Sequence, residues 1–250
     1  MPVTNKGPGL TMQISKFVAL TASLAALSTV TGCGLSTSSN GTLTLNSSGP
    51  RQGAAPGPSP GAAQAVQRQR PVEDFHAISN RAVCTMVITV GKPYSLTIEG
   101  EESVLPQITT DVKDGTLSID LDRNINTNAP IRLLISTPRL DKFSNAGVGQ
   151  ATLSGLQESF LTINESGAGS VTASGRADML DLTLSGVGNA NLKDLKAKAV
   201  TALLSGTGSA RVSASESLTG TVSGIGKLTY AGNPPKVQKS VTGLGSITAE

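Results

Sequence analysis

The sequence predicts an all-β chain whose second half is a β-solenoid, a β-helix of stacked coils. Three observations carry this. Aromatic residues make up 2% of the chain and there is no Trp, while glycine occurs 28 times; such a composition suits short strands and tight turns better than helices. A Gly-x-Gly tripeptide recurs six times at a period near 20 residues. After each copy, apolar and polar residues alternate, which is the period of a half-buried strand.

The repeats are Gly147/Gly149, Gly167/Gly169, Gly186/Gly188, Gly206/Gly208, Gly224/Gly226 and Gly243/Gly245, with first glycines 20, 19, 20, 18 and 19 residues apart. Counting from each first glycine, position +4 reads Ala151, Val171, Ala190, Ala210, Leu228, Ile247. Position +6 reads Leu153, Ala173, Leu192, Val212, Tyr230, Ala249. Between them, +5 reads Thr152, Thr172, Asn191, Arg211, Thr229, Thr248. This places one strand in each repeat, with +4 and +6 facing inward; Tyr230, with its hydroxyl, fits that role least well. Glycine suits a corner that needs positive φ or close stacking of backbones. A fixed period with one inward-facing strand is the signature of a solenoid, and six coils at the usual strand spacing form a column on the order of 25–30 Å high.

Ahead of the repeats, strand-like runs are less evenly spaced. Met86-Ile88-Val90, Leu96-Ile98, Leu117-Ile119-Leu121 and Ile131-Leu133-Ile135 alternate with period two. Asp114-Gly115 signals a hairpin between Ile108–Val112 and Leu117–Leu121. Leu192 to Ala202 is the nearest approach to a helical pattern, and its Lys-rich spacing is ambiguous.

The first 33 residues read as a bacterial lipoprotein signal. Lys16 opens a positive region and Phe17 to Val30 form an apolar run too short to cross a bilayer comfortably. Val30-Thr31-Gly32-Cys33 resembles a lipobox, which implies a diacylglycerol on the Cys33 thiol and cleavage on its amino side. Residues 1–32 are then a signal peptide, with Met12 the better translation start. No Asp occupies the second position of the mature chain, which points to outer-membrane delivery in a Gram-negative host. Residues 33–70 are rich in Ser, Gly, Pro, Ala and Gln and bury too little to fold, so they are expected to be a disordered tether.

Charge excludes one class of partner. The net +3 comes from Lys6, Lys16, Arg51, Arg68 and Arg70; without these five, 15 basic and 17 acidic residues remain. Nucleic-acid binding needs Lys and Arg gathered on the folded part, and Lys193, Lys196 and Lys198 read as a solvated turn. Once Cys33 is lipidated, Cys84 has no partner for a disulfide and behaves as a small buried residue.

Phe75-His76-Ala77-Ile78, Asp114-Gly115-Thr116-Leu117-Ser118-Ile119, Pro138-Arg139-Leu140 and the repeated Ser-Gly-x-Gly at Ser166, Ser185, Ser205 and Ser223 together resemble the "putative auto-transporter adhesin, head GIN domain" family. The literal Gly-Ile-Asn tripeptide is absent, and Thr242 replaces Ser before the last glycine pair. The resemblance covers residues 72–250, with 72–143 as irregular strands and 144–250 as regular repeats. It implies a β-helical envelope domain without established chemistry.

Function divides into two classes. The first is a non-catalytic module for adhesion, binding or structure at the surface or in the periplasm, anchored to the membrane and facing an envelope polysaccharide or protein. The second is an envelope carbohydrate-active enzyme, a hydrolase or lyase, since fold alone does not decide chemistry. The first is favoured. Asp178 with Asp181, and Asp120 with Asp122, are the nearest to paired carboxylates, and each reads more simply as surface charge. His76 is the only histidine, and it reads as part of the first strand. No catalytic residue, cofactor or metal site is expected. The glycines lack the G-x-G-x-x-G of a dinucleotide fold, no Asp recurs for a calcium roll, and zinc ligands are too few.

Overall fold

The computed structural model describes residues 65–121 and 130–250. The strands are β1 (Ala65–Arg70), β2 (Ala77–Asn80), β3 (Val83–Val90), β4 (Ser95–Glu101), β5 (Ile108–Lys113), β6 (Thr116–Leu121), β7 (Arg132–Thr137), β8 (Lys142–Asn145), β9 (Val148–Glu165), β10 (Ala168–Leu184), β11 (Val187–Leu204), β12 (Thr207–Val222), β13 (Ile225–Ala231), β14 (Lys236–Val241) and β15 (Ser246–Ala249). Among the described residues the only helical element is a 3-10 turn at Leu105–Gln107. The solenoid of about five turns occupies the C-terminal half.

Each regular repeat supplies two strand segments rather than the one expected. β9 to β12 run 16 to 18 residues and bend near residues such as Gly155 and Gly175, both at positive φ. The first segments stack in parallel as β3-β9-β10-β11-β12-β13-β15; the second stack as β8-β9-β10-β11-β12-β14. The second segments carry their own period-two pattern: Leu161-Ile163-Glu165, Leu180-Leu182-Leu184 and Val200-Ala202-Leu204 are all buried.

The inward rows hold through Leu153, Ala173, Leu192, Val212 and Tyr230, all buried, whereas Ala249 in the last strand is exposed. Lys239 lies over the Tyr230 ring, 4.8 Å from its centroid, and covers its aromatic face. The stretch Leu192 to Ala202 is strand, within β11. Its helix-like spacing arises where the register shifts between Leu192 and Lys196: the extra residues at the corner carry the apolar period from one face to the next.

At the Gly-x-Gly corner the constraint is steric more than conformational. A Cβ built on Gly167 would collide with the carbonyl oxygen of Gly147, and one on Gly186 with that of Gly167. None of the first glycines needs positive φ; among the second ones only Gly149 and Gly208 do. Successive coils approach so closely there that no side chain fits.

The first half is also coiled, but out of chain order. β3 stacks in parallel on β9 and β7 on β3, while β2 lies between β8 and β6. The β6–β7 level therefore lies outside the β2–β3 level although it follows it in sequence. The Asp114-Gly115 turn forms as expected, with both residues at positive φ and β5 antiparallel to β6. Residues 65–70, assigned above to the tether, form β1, antiparallel to β4. Polar residues on an edge strand need one paired neighbour rather than a buried face; here Gln67 and Arg68 also bond Glu99 and Glu102.

Candidate binding face

With +4 and +6 turned inward, +1, +3 and +5 must point outward from the same strands. In-register stacking turns these positions into three ladders. The +1 ladder is apolar apart from Thr207: Val83, Val148, Ala168, Val187, Thr207 and Ile225 stand in line, with Leu244 in the following copy. Val187 is 63% exposed and Leu244 80%. The +3 ladder reads Gln150, Ser170, Asn189, Ser209 and Lys227, and Ser209 Oγ donates to Asn189 Oδ1 at 2.6 Å. The +5 ladder is Thr152, Thr172, Asn191, Arg211 and Thr229.

In these ladders only Lys227 and Arg211 are charged. The face is thus a regular array of hydroxyls and amides bordered by an apolar edge, which matches partners rich in neutral hydrogen-bonding groups. Asn191 Oδ1 is buried without a hydrogen-bond partner among the described residues.

The titratable residues considered in the sequence fall elsewhere. His76 Nδ1 lies 3.1 Å from Asp141 Oδ1 and 3.0 Å from Oδ2, and Arg139 donates to Asp141 Oδ2 at 2.9 Å. Burial alone would raise the Asp141 carboxyl, but these two neighbours outweigh it and hold it below its ordinary range. The pairing of His76 with Asp141 spans 65 residues and had no local sequence signal. Asp178 is committed to Lys198 at 2.8 Å and Asp120 to Arg81 at 3.1 Å. Asp122 lies outside the described residues, as does Cys33. Lys193, Lys196 and Lys198 are exposed, but on strand β11 rather than in a turn.

A polar row runs through the interior. Asn80, Asn145 and Glu165 occupy equivalent positions in successive coils, all buried. Asn80 Nδ2 donates to Asn145 Oδ1 at 2.8 Å, and Asn145 Nδ2 to the Glu165 carboxylate. Desolvation raises the Glu165 carboxyl, partly offset by Asn145 and the Gly167 backbone. Cys84 sits beside this row, with Sγ 3.5 Å from Asn80 Oδ1.

The family model described as "putative auto-transporter adhesin, head GIN domain" matches residues 74–234. The chain belongs to this family. A solved structure titled a putative adhesin from Bacteroides fragilis is similar to this head GIN domain at 27% identity, covering 75% of this chain and 97% of that one, with a TM-score of 0.63. A putative lipid binding protein from Parabacteroides distasonis is 18% identical over 76% of this chain and 98% of its own, with a TM-score of 0.46. A putative adhesin from Parabacteroides merdae gives the same identity and coverage with a TM-score of 0.45. No curated protein sequence matches the chain significantly. Among the described residues of the head GIN domain, no helix is long and apolar enough to cross a membrane.

Proposed function

We infer that this chain is a lipid-anchored protein of the bacterial cell envelope whose head GIN domain binds a partner without chemical turnover. The observation that carries the binding reading is the face of three ladders. It repeats neutral hydrogen-bonding groups at the coil spacing and exposes an apolar edge that a monomer would otherwise bury. Membership of a family named for adhesins supports the same reading. The signal-like run ending at Cys33 supports anchoring through a lipid, with the outer membrane as the site in a Gram-negative host.

The partner class is an envelope or host-surface glycan or protein. Aromatic stacking contributes little to recognition on this face, because Tyr230 is buried and Tyr94 packs on Phe75 with ring centroids 5.4 Å apart. The test is a glycan and envelope-protein array probed with the Cys33→Ala chain, followed by turnover assays on every hit. Retention of unmodified ligands on the array is the expected result. Cleavage of a bound glycan, lost in His76→Ala, would establish the enzyme reading instead.

A further inference from the structure

A second recognition element lies on the bend side of the coils, away from the Gly-x-Gly corner. A groove of about 580 Å³ runs across successive coils there. Its floor is Ala177, Ala197 and Ala214, stacked in register, and Gly232 extends it into the next coil. On one wall Arg176 stands directly opposite Lys196, and Lys196 opposite Ser213. On the other wall Asp178 stands opposite Lys198 and holds its ammonium at 2.8 Å.

Two neighbouring rows of the same two strands thus obey opposite rules. Opposite charges facing each other across a ladder stabilise it, and like charges destabilise it. The Asp178–Lys198 row satisfies that rule and the Arg176–Lys196 row breaks it. Among the described residues neither cation of the second row forms an ion pair; Lys196 Nζ donates to the Lys193 carbonyl at 3.0 Å. The carboxylate in the groove, Asp178, is engaged by Lys198, so the like-charged Arg176–Lys196 pair is the kind of local conflict that folds keep where an outside group resolves it.

We propose that this groove binds the carboxylate of an acidic sugar within an extended glycan, clamped between Arg176 and Lys196. The planar guanidinium offers paired donors to a carboxylate and the ammonium a point charge. Ser213, Ser215 and Asn233 line the same groove and bond sugar hydroxyls. Because the floor crosses several coils, the groove admits a chain rather than a lone ion. The proposal rests on the non-catalytic binding reading above and names a ligand class for it.

The experiment is calorimetric titration of the full chain with oligogalacturonate and with its methyl ester, which keeps the shape and removes the charge. The acid is expected to bind, and the ester at least about tenfold more weakly. Arg176→Gln and Lys196→Gln should each weaken acid binding about tenfold and leave the ester unaffected. The double variant should also melt at a higher temperature than the parent, because a like-charge pair is gone. A purely structural role for these side chains would instead lower the melting temperature. Equal affinity for acid and ester, or a double variant that binds unchanged or melts lower, overturns the groove assignment alone. Cleavage of the oligomer during titration overturns the non-catalytic reading, whatever the affinities.

Discussion

Asn145 donates from its side-chain nitrogen to both carboxylate oxygens of Glu165, at 3.0 and 2.9 Å, in a row that is apolar at Leu184, Leu204 and Val222. Three polar groups at successive levels fix the register of β2 on β8 on β9. A register slip would separate these partners and leave a buried amide or carboxyl unpaired.

Removing one member of this row should therefore be costly. Asn145→Ala leaves the buried Glu165 without its side-chain donor and is expected to lower stability by about 3 kcal/mol, read as a shift of the urea midpoint at constant slope. An unchanged midpoint would show that the row contributes nothing net.

The same carboxyl gives stability a pH dependence. Its folded pKa is raised by desolvation, so the native state holds the proton more tightly than the unfolded chain. Between the ordinary value of 4.5 and the raised one, stability falls as pH rises. Asp141 acts in the opposite direction: its depressed carboxyl contributes above the ordinary range and loses that contribution as pH falls. Glu165→Gln should remove the loss that accompanies rising pH, so that chemical denaturation finds stability falling less between acidic and alkaline pH in the variant than in the parent. An equal fall in both would contradict this.

Cys84 should be inert in the native protein. Burial pushes its thiol up to about 12, and the hydrogen bond with Asn80 offsets this only in part, so almost no thiolate is present near neutrality. Treatment with iodoacetamide followed by peptide mass spectrometry should leave Cys84 unlabelled until denaturant is added. Rapid labelling under native conditions would mean the β2–β3 level opens locally.

Glycine at the corner is expected to be far less replaceable than glycine in an open turn. Gly186→Ala drives a methyl into the Gly167 carbonyl and the Ser166 backbone, at roughly 3 kcal/mol or more. Gly91 has φ of +83°, and a Cβ placed on it would meet no atom within 4 Å, so Gly91→Ala should cost only about 1 kcal/mol from its left-handed backbone. Equal costs in thermal denaturation would refute the steric account of the repeat.

Cys33→Ala should release the chain from membranes while the head GIN domain remains folded. Fractionation of cells expressing both forms, with circular dichroism of the soluble fraction, reads both parts. Membrane retention of the variant would exclude lipid on Cys33 as the anchor.

What the sequence revealed was local. The Asp114-Gly115 hairpin and the rows through Ala151–Leu153 and Val171–Ala173 are written in neighbouring residues, and the structure has them. The second segment of each coil is equally written in Leu180-Leu182-Leu184, whereas Gly-x-Gly marks only the first. At Leu192-Leu195 the bend broke the strand period and imitated a helix. Contacts such as His76 with Asp141, or Asn80 with Asn145, join residues 65 positions apart, and nothing near either partner specifies the other. The Arg176–Lys196 conflict required the register itself, because in the sequence the two lie a coil apart and each resembles an ordinary surface charge.

The out-of-order coils bear on how the chain acquires its structure during synthesis. β3 is flanked by β7 and β9, both of which come later, so one of its hydrogen-bonding edges stays vacant until residues up to Thr137 have left the ribosome and the other until Ser154 has. Growth from the amino end is thereby blocked at its first level, and pairings this distant in sequence are slow to form. The regular coils need only their immediate predecessors. They are the natural template, and the earlier segments close onto it backwards, against the direction of translation.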